Sequence, residues 1–182
     1  MQDQPVTDIF KARVQDMVKL RIPWLLIGLA GGMLASSLVG AFQATLEQEL
    51  TVAFFIPVIV YMSGAVGSQT QTLFIRSLVL RKTSIMKYVT RELGVNLSIG
   101  VICSVIAFLF TYIWLRNIHL ASTIGLAMFL NICLATFISL AIPYILYRFK
   151  KDPAIGAGPF ITVVQDIMSI LIYFVVATII IL

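Results

Sequence analysis

The 182-residue chain is too apolar for a water-soluble domain, because 60% of its residues are hydrophobic and only 12% are charged. Soluble domains hold roughly 45–50% apolar residues. The formal net charge of +5 could suggest a nucleic-acid partner, but the basic residues lie at the ends of apolar stretches and form no aromatic-rich basic surface. Composition therefore argues against nucleic-acid binding and predicts a protein embedded in a lipid bilayer.

Two regions follow one another from the amino terminus. Residues 1–20 place apolar side chains at helical spacing, with charged ones largely elsewhere, which predicts an amphipathic helix at the cytosolic interface. Residues 21–182 hold five apolar stretches, each long enough to cross about 30 Å of hydrocarbon at about 1.5 Å per residue. The stretches run from Ile22 to Phe42, Leu50 to Leu80, Leu93 to Leu115, Ala121 to Tyr147 and Pro159 to Leu182. We therefore predict an all-α integral membrane protein with five transmembrane helices, in which residues 81–92 form a short helix on the cytosolic surface.

The basic residues predict the orientation of the chain. All of the 13 lysines and arginines except Arg116 lie before the first span, around the second-to-third connection or after the fourth span. Cytosolic loops carry the excess of these residues. The amino terminus is therefore predicted to be cytosolic and the carboxyl terminus external, in the plasma membrane.

Small residues recur in the first span. Gly28, Gly32, Ser36 and Gly40 lie four residues apart. This spacing flattens one face of a helix and predicts that another helix packs closely against it.

The second span changes character halfway along its length. Residues 50–62 are mostly apolar, whereas residues 63–72 hold two glycines and six hydroxyl or amide side chains. Such a segment is tolerated at membrane depth where it lines water or is buried in protein. Pore lining is the favoured interpretation, helix-to-helix hydrogen bonding is the alternative, and Pro57 is expected to kink the span. The pore-lining candidates are Ser63, Gly64, Ala65, Gly67, Ser68 and Gln69.

The fifth span holds Asp166, the one acidic residue well inside any predicted span. Thr162, Ser169 and Tyr173 fall on the same helix face. A charge at the centre of a membrane helix costs roughly 2.5–3.5 kcal/mol, so an intramembrane carboxylate is a functional candidate. We predict that Asp166 binds a metal ion and that its three neighbours line a pore. The alternative is a structural carboxylate bonded to an amide such as Gln69 or Asn131.

Ligand chemistry narrows the choice of ion. Carboxylate, hydroxyl, amide and backbone oxygens suit Mg²⁺, Ca²⁺ or Mn²⁺, whereas softer metals would require cysteine or histidine at this level. Because Mg²⁺ keeps several waters when it binds, one carboxylate per chain could hold it as a hydrated ion, and a symmetric dimer would supply two. We expect a divalent cation channel or transporter, with Mg²⁺ as the first candidate ion and Mn²⁺ or Ca²⁺ as the others.

Four segments resemble a known family. They are RIPWLL (residues 21–26), FFIPVIVYMSGAVGSQ (54–69), REL (91–93) and, most specifically, DPAIGAGPFITVVQD (152–166). These segments resemble the membrane domain of MgtE-type magnesium transporters. The resemblance implies five helices per subunit, a homodimer with a central pore, Mg²⁺ carried down its gradient, and Asp166 as the pore carboxylate. The family's Gly-Gly-Asn-x-Gly segment falls on residues 63–67, where Ala65 replaces the asparagine, so an amide ligand expected near the pore is missing.

Two other functions are alternatives to ion transport. A membrane scaffold or assembly subunit would use Asp166 to pair with a partner helix. An intramembrane enzyme is disfavoured, because no second carboxylate, HExxH helix or Ser/His pair accompanies Asp166 within the spans. We therefore expect no enzymatic activity.

Overall fold

A computed structural model gives the fold of residues 13–80, 84–149 and 153–181. These residues form helices and no strand, and five helical stretches are long and apolar enough to cross a membrane. The prediction of an all-α protein with five transmembrane helices is therefore confirmed. The elements are α1 (Val14–Ala41), α2 (Gln43–Gln48), a 3-10 helix (Leu50–Phe55), α3 (Ile56–Leu80), α4 (Ile85–Leu115), α5 (Ile118–Arg148) and α6 (Pro153–Ile181).

Two predicted boundaries lie inside continuous helices. Of the predicted interfacial helix, residues 1–12 lie outside the described ranges and residues 14–20 form the first turns of α1. Of the predicted surface helix, residues 81–83 lie outside those ranges, and from Ile85 onward the chain belongs to α4. The 31 residues of α4 extend about 46 Å at about 1.5 Å per residue. Because the hydrocarbon layer is about 30 Å thick, α4 is long enough for its first turns to reach beyond that layer.

The sequence predicts a kink at Pro57 within the second span. In the structure, Pro57 lies at the start of a helix and not inside one. It is the second residue of α3, directly after the 3-10 helix. Proline costs little in a first helical turn, because the N–H that it lacks would have had no partner inside the helix. The change from 3-10 to α geometry therefore comes before Pro57.

The centre of the bundle is the junction of α3, α5 and α6, which pack against one another. Helix α1 packs on α6, and α4 packs mainly on α5. Helix α5 is enclosed on several sides, with buried residues from Leu120 to Pro143. By contrast, α1 and α4 expose large apolar side chains such as Met33 and Ile113. This arrangement is expected where outer helices meet lipid and an inner helix meets protein.

The small-residue stripe of α1 is not the face that packs on α6. A Cβ atom added at Gly28, Gly32 or Gly40 would meet no described atom within 4 Å. The face toward α6 instead contains Gly31, where an added Cβ would overlap the side chain of Val163. Among the described residues, therefore, no helix covers the stripe that the sequence singled out.

The end of the bundle that holds α2 and the 3-10 helix is called the α2 end here. At this end the hydroxyls of Thr45 and Thr178 lie 2.8 Å apart. The rings of Phe42 and Phe174 stack with their centroids 5.0 Å apart. The short helices after α1 are thereby held against the last turns of α6.

Candidate functional site

Helices α3 and α6 run antiparallel and meet through small and polar residues. The Ser169 hydroxyl donates to the Ser63 hydroxyl over 2.8 Å. One turn further along α3, Gly67 lies against the side chain of Gln165, and a Cβ atom added at Gly67 would overlap the Gln165 amide nitrogen. Small residues of this kind allow two membrane helices to approach closely.

Gln165 also connects α6 to α5. Its Nε2 donates to the Ser139 hydroxyl over 2.8 Å and lies 3.3 Å from the Ala135 carbonyl oxygen, which it also reaches as a donor. The side chain is only 3% exposed. We call the group Ser63, Gly67, Ser139, Gln165 and Ser169 the closed side of the α3–α6 contact, since its polar atoms are used in bonds between helices.

Asp166 lies on the other side of this contact. It follows Gln165 and therefore points about 100° away from it around α6. Gly64 and Ser68 follow the two α3 contact residues in the same way. Viewed from one end, the chain turns clockwise along one of two antiparallel helices and counterclockwise along the other. The residue that follows a contact residue on α3 and the residue that follows one on α6 therefore lie on the same side of the contact. Asp166 therefore shares one side with Gly64 and Ser68.

We call this second side, which holds Gly64, Ser68, Thr162 and Asp166, the open groove. Asp166 and Gly64 are partly buried, whereas Ser68 and Thr162 are exposed. A Cβ atom added at Gly64 would meet no described atom within 4 Å. The described chain thus leaves space beside its intramembrane carboxylate.

The two hydroxyls of the open groove bond to carbonyl groups of their own helices. Ser68 Oγ donates to the Ala65 carbonyl oxygen over 3.0 Å, and Thr162 Oγ1 donates to the Gly158 carbonyl oxygen over 3.1 Å. A hydroxyl has one hydrogen and two acceptor lone pairs. With the hydrogen directed at the backbone, the lone pairs remain to accept bonds from ion-bound water or to face a cation.

The polar stripe predicted on the last helix is divided by this geometry. Thr162 and Asp166 lie in the open groove, but Ser169 and Tyr173 are buried within the chain. The Tyr173 hydroxyl donates to the Val52 carbonyl oxygen over 2.6 Å. At the α2 end the stripe is therefore covered by the 3-10 helix, which helical spacing alone could not indicate.

Two further pore-lining candidates lie elsewhere on α3. Ala65 and Gln69 come two positions after the α3 residues that contact α6, which turns them about 200° around the helix. Ala65 is partly buried and Gln69 is exposed. Both residues therefore face away from α6 of the same chain.

Sequence reasoning missed the polar residues that cross between helices. Gln165 and Ser139 were overlooked beside the more conspicuous Asp166. Asn131, named above as a possible partner of the carboxylate, instead donates from Nδ2 to the Ala127 carbonyl oxygen over 2.9 Å. It is fully buried, and its Oδ1 has no bond partner among the described residues. An amide inside an apolar span was the available signal for both amide residues.

The composition of the open groove favours an ion that keeps its water. Within the described residues, no three Asp, Glu, His or Cys side chains come together. One chain therefore brings a single carboxylate, two hydroxyl oxygens and the small residue Gly64 to the groove. This set suits a hard cation held mainly through its hydration shell.

A separate cavity of about 320 Å³ lies at the α2 end. Its lining includes Gln48, Glu49, Asn117 and His119. Asp166 does not line this cavity, so cavity and carboxylate occupy different parts of the bundle.

Comparison with known proteins provides a family match. The family model described as "MgtE: Divalent cation transporter" matches residues 56–176, which include the closed side and the open groove. "Magnesium transporter MgtE" of Bacillus subtilis is 37% identical over 161 residues, covering 87% of this chain and 36% of the relative.

Two further relatives carry the same name. The Thermus thermophilus protein is 31% identical over 160 residues, covering 86% of this chain and 35% of its own length. The Enterococcus faecalis protein is 29% identical over 161 residues, covering 87% and 36% respectively. The chain thus spans about a third of the length of the curated relatives it matches.

Proposed function

The chain belongs to the MgtE family of divalent cation transporters, and from this premise we propose that it moves Mg²⁺ passively across the plasma membrane through a pore between two copies. The observation that carries the proposal is the position of Asp166. Its carboxylate is partly buried and shares one side of the α3–α6 contact with Gly64, beside which the described chain leaves open space. A carboxylate at membrane depth is costly and belongs where it faces an aqueous path or a partner.

The ion is proposed to pass with much of its hydration shell in place. Mg²⁺ gives up water reluctantly and is usually bound through one or two carboxylates. Asp166 supplies the negative charge, while Ser68 and Thr162 offer hydroxyl oxygens to the water shell. Mn²⁺ and Ca²⁺ are the competing ions, because one carboxylate and two hydroxyl oxygens place few fixed ligands around the hydration shell.

The proposed pore is completed by a second copy of the chain. Each copy has one open groove and one groove carboxylate. A two-fold axis beside the groove would bring two copies of Asp166 to one pore and close the open side of each chain. Native mass measurement in detergent tests this arrangement, and a monomer that conducts would refute the pore between copies.

The proposed orientation has a cytosolic amino terminus and an external carboxyl terminus. It rests on the basic residues, of which only Arg116 lies at the opposite end of the spans. Cysteines introduced at Lys82, Lys151 and Arg116 can be labelled from either side of sealed vesicles. Labelling of the first two from outside would reverse the orientation.

The decisive experiment is Mg²⁺ flux into liposomes that contain only this protein, with Asp166→Asn compared with the natural chain. This substitution keeps shape and removes charge. At 4 Å, a unit charge pair is worth about 4 kcal/mol at an effective dielectric of 20, so we expect at least ~100-fold lower flux. Asp16→Asn is the matched control, because Asp16 is exposed in the first turn of α1. The Asp16→Asn protein should conduct Mg²⁺ at the natural rate.

The result also separates the proposal from the scaffold alternative. A scaffold in which Asp166 pairs with a partner helix predicts no flux from the natural chain alone. Folded, dimeric Asp166→Asn protein that conducts at the natural rate would remove Asp166 from the ion path. In both cases a single elution peak and unchanged helix content must accompany the flux measurement.

A further inference from the structure

Gln165 is the buried side chain next to the groove carboxylate, and it is held by two neighbouring helices at once. Its amide nitrogen donates to Ser139 of α5 over 2.8 Å and reaches the Ala135 carbonyl oxygen at 3.3 Å. On the α3 side it fills the space that Gly67 leaves by having no side chain. These contacts come from different directions around α6.

Such contacts fix the rotation of α6 about its axis. Apolar side chains alone would let a membrane helix turn by small angles, because lipid and helix surfaces are similarly apolar. A bond of 2.8 Å with a defined donor direction does not tolerate such a turn. Since neighbouring residues are about 100° apart around a helix, fixing Gln165 also fixes the direction of Asp166.

We infer that Gln165, together with Ser139 and Gly67, is a positioning device that sets the direction in which Asp166 points into the open groove. This inference rests on the proposed function, in which Asp166 faces the ion path. Gln165 itself touches no ion. Its effect on transport comes through the orientation of its neighbour.

A direct test measures the direction of position 166 without measuring transport. Cys103 and Cys133, the two cysteines of the chain, are first replaced by alanine. The Asp166→Cys thiol is then labelled in liposomes with a small cationic thiol reagent. The labelling rate is compared among three added variants, Gln165→Leu, Ser139→Ala and Gly67→Ala.

Each added variant should shift the labelling rate roughly threefold to tenfold. Ser139→Ala removes one buried hydrogen bond, and Gln165→Leu removes that bond together with the one to Ala135. Gly67→Ala instead adds a methyl group that would overlap the Gln165 amide. Ser139→Thr keeps the hydroxyl that accepts the bond from Gln165 and should stay closer to the natural rate than Ser139→Ala.

Two matched controls lie on α4, away from α6. Ser98→Ala removes a hydroxyl that bonds only to its own helix, and Gly94→Ala adds a methyl group with no atom within 4 Å.

The second readout is the Mg²⁺ concentration that gives half-maximal flux, measured with Asp166 in place. Gln165→Leu and Ser139→Ala should both raise it roughly threefold to tenfold. The double variant should resemble Gln165→Leu, because Ser139→Ala removes a bond that Gln165→Leu has already removed. Ser139 lies on α5 and outside the open groove. A non-additive effect of Gln165→Leu and Ser139→Ala would therefore not come from a changed side chain in the ion path.

The outcomes separate this inference from the function on which it rests. Unchanged labelling in folded Gln165→Leu and Ser139→Ala proteins would overturn the positioning role, even if Asp166→Asn abolishes flux. An unreactive Asp166→Cys thiol in every background would overturn it as well, since position 166 would then face no water. Shifted labelling with normal flux in Asp166→Asn would keep the positioning role and overturn the proposed ion site.

Discussion

The two sides of the α3–α6 contact carry the same kinds of residue in different surroundings. On the closed side, the Ser169 hydroxyl donates across the contact to Ser63. In the open groove, the Ser68 and Thr162 hydroxyls donate to carbonyl oxygens of their own helices. Every donating hydroxyl keeps its lone pairs, but Ser63 and Ser169 are buried between the helices. Ser68 and Thr162 are exposed and can present their lone pairs to a ligand.

The glycines show the same difference. The space beside Gly67 is occupied by the Gln165 side chain of the neighbouring helix, whereas the space beside Gly64 is open. The two positions are three residues apart on one helix. Residue type at membrane depth therefore does not reveal whether a position packs or lines a path, and the rotation of the helix decides.

The largest effect is expected from exchanging the two glycines for leucine. Gly67→Leu should destabilise the fold by about 3 kcal/mol, because the Gln165 amide occupies the space and overpacking of a tight contact is costly. Gly64→Leu should change the stability of the single chain by less than about 1 kcal/mol, since nothing described lies in its way. Unfolding in mixed detergent and SDS micelles measures both values.

The glycine substitution that costs little stability is expected to have a large effect on Mg²⁺ flux. Gly64→Leu should fold and lose most Mg²⁺ flux, because a bulky apolar side chain would fill the open groove. Gly94→Leu on α4 controls for the added bulk, since its Cβ also meets no atom within 4 Å. Equal destabilisation at positions 64 and 67 would remove the distinction between the two sides.

A smaller effect is expected at Tyr173, which the sequence placed among the pore-lining candidates. Tyr173→Phe removes the hydrogen bond to the Val52 carbonyl oxygen, which ties α6 to the 3-10 helix. The cost should be about 0.5–1.5 kcal/mol in unfolding free energy. The Mg²⁺ concentration for half-maximal flux should stay within about twofold, because the hydroxyl is committed to the 3-10 helix.

A pore-lining hydroxyl at Tyr173 would give the reverse result. Stability would then change little, while the Mg²⁺ dependence of flux would shift. Tyr61→Phe is a suitable control, since Tyr61 is 72% exposed and the loss of its hydroxyl should affect neither measurement.

The helices could be predicted from sequence because a long apolar stretch is a local property of the chain. The sequence predicts a surface helix over residues 81–92 and a separate span from Leu93, whereas α4 runs without a break from Ile85. Lys87 and Arg91 interrupt the apolar pattern there, but neither residue interrupts a helix. Apolarity indicates where a helix meets lipid, and helical geometry can continue into the interface.

The site could be predicted only as far as one helix determines it. Spacing puts Thr162 on the same helix face as Asp166, because residues four apart share a face. The same rule also added Tyr173, which the 3-10 helix covers. The partnership of Gln165 with Ser139 depends on which helix lies opposite α6, and that information is spread over residues 26 positions apart.

The smallest effect is expected from restoring the family's amide at position 65. Ala65 is partly buried on α3 and faces away from α6 of its own chain, so an amide there would reach an ion only from the edge of the groove or across a dimer. Ala65→Asn should raise the ratio of Mg²⁺ to Mn²⁺ flux by about threefold, because an added fixed oxygen restricts the octahedral water shell that Mg²⁺ demands. Flux of the two ions in competition gives this ratio directly.

The control for Ala65→Asn must add the same amide outside the proposed path. Gly94→Asn does so on the exposed surface of α4, where an amide should cost stability and leave the flux ratio unchanged. If Ala65→Asn behaves in the same way as Gly94→Asn, position 65 faces lipid and the alignment with the family's asparagine has no consequence for selectivity. If only Ala65→Asn raises the ratio, the ion path includes the face of α3 that holds Ala65. Within one chain, no described helix brings that face beside Asp166. A second copy is then needed to bring the two together.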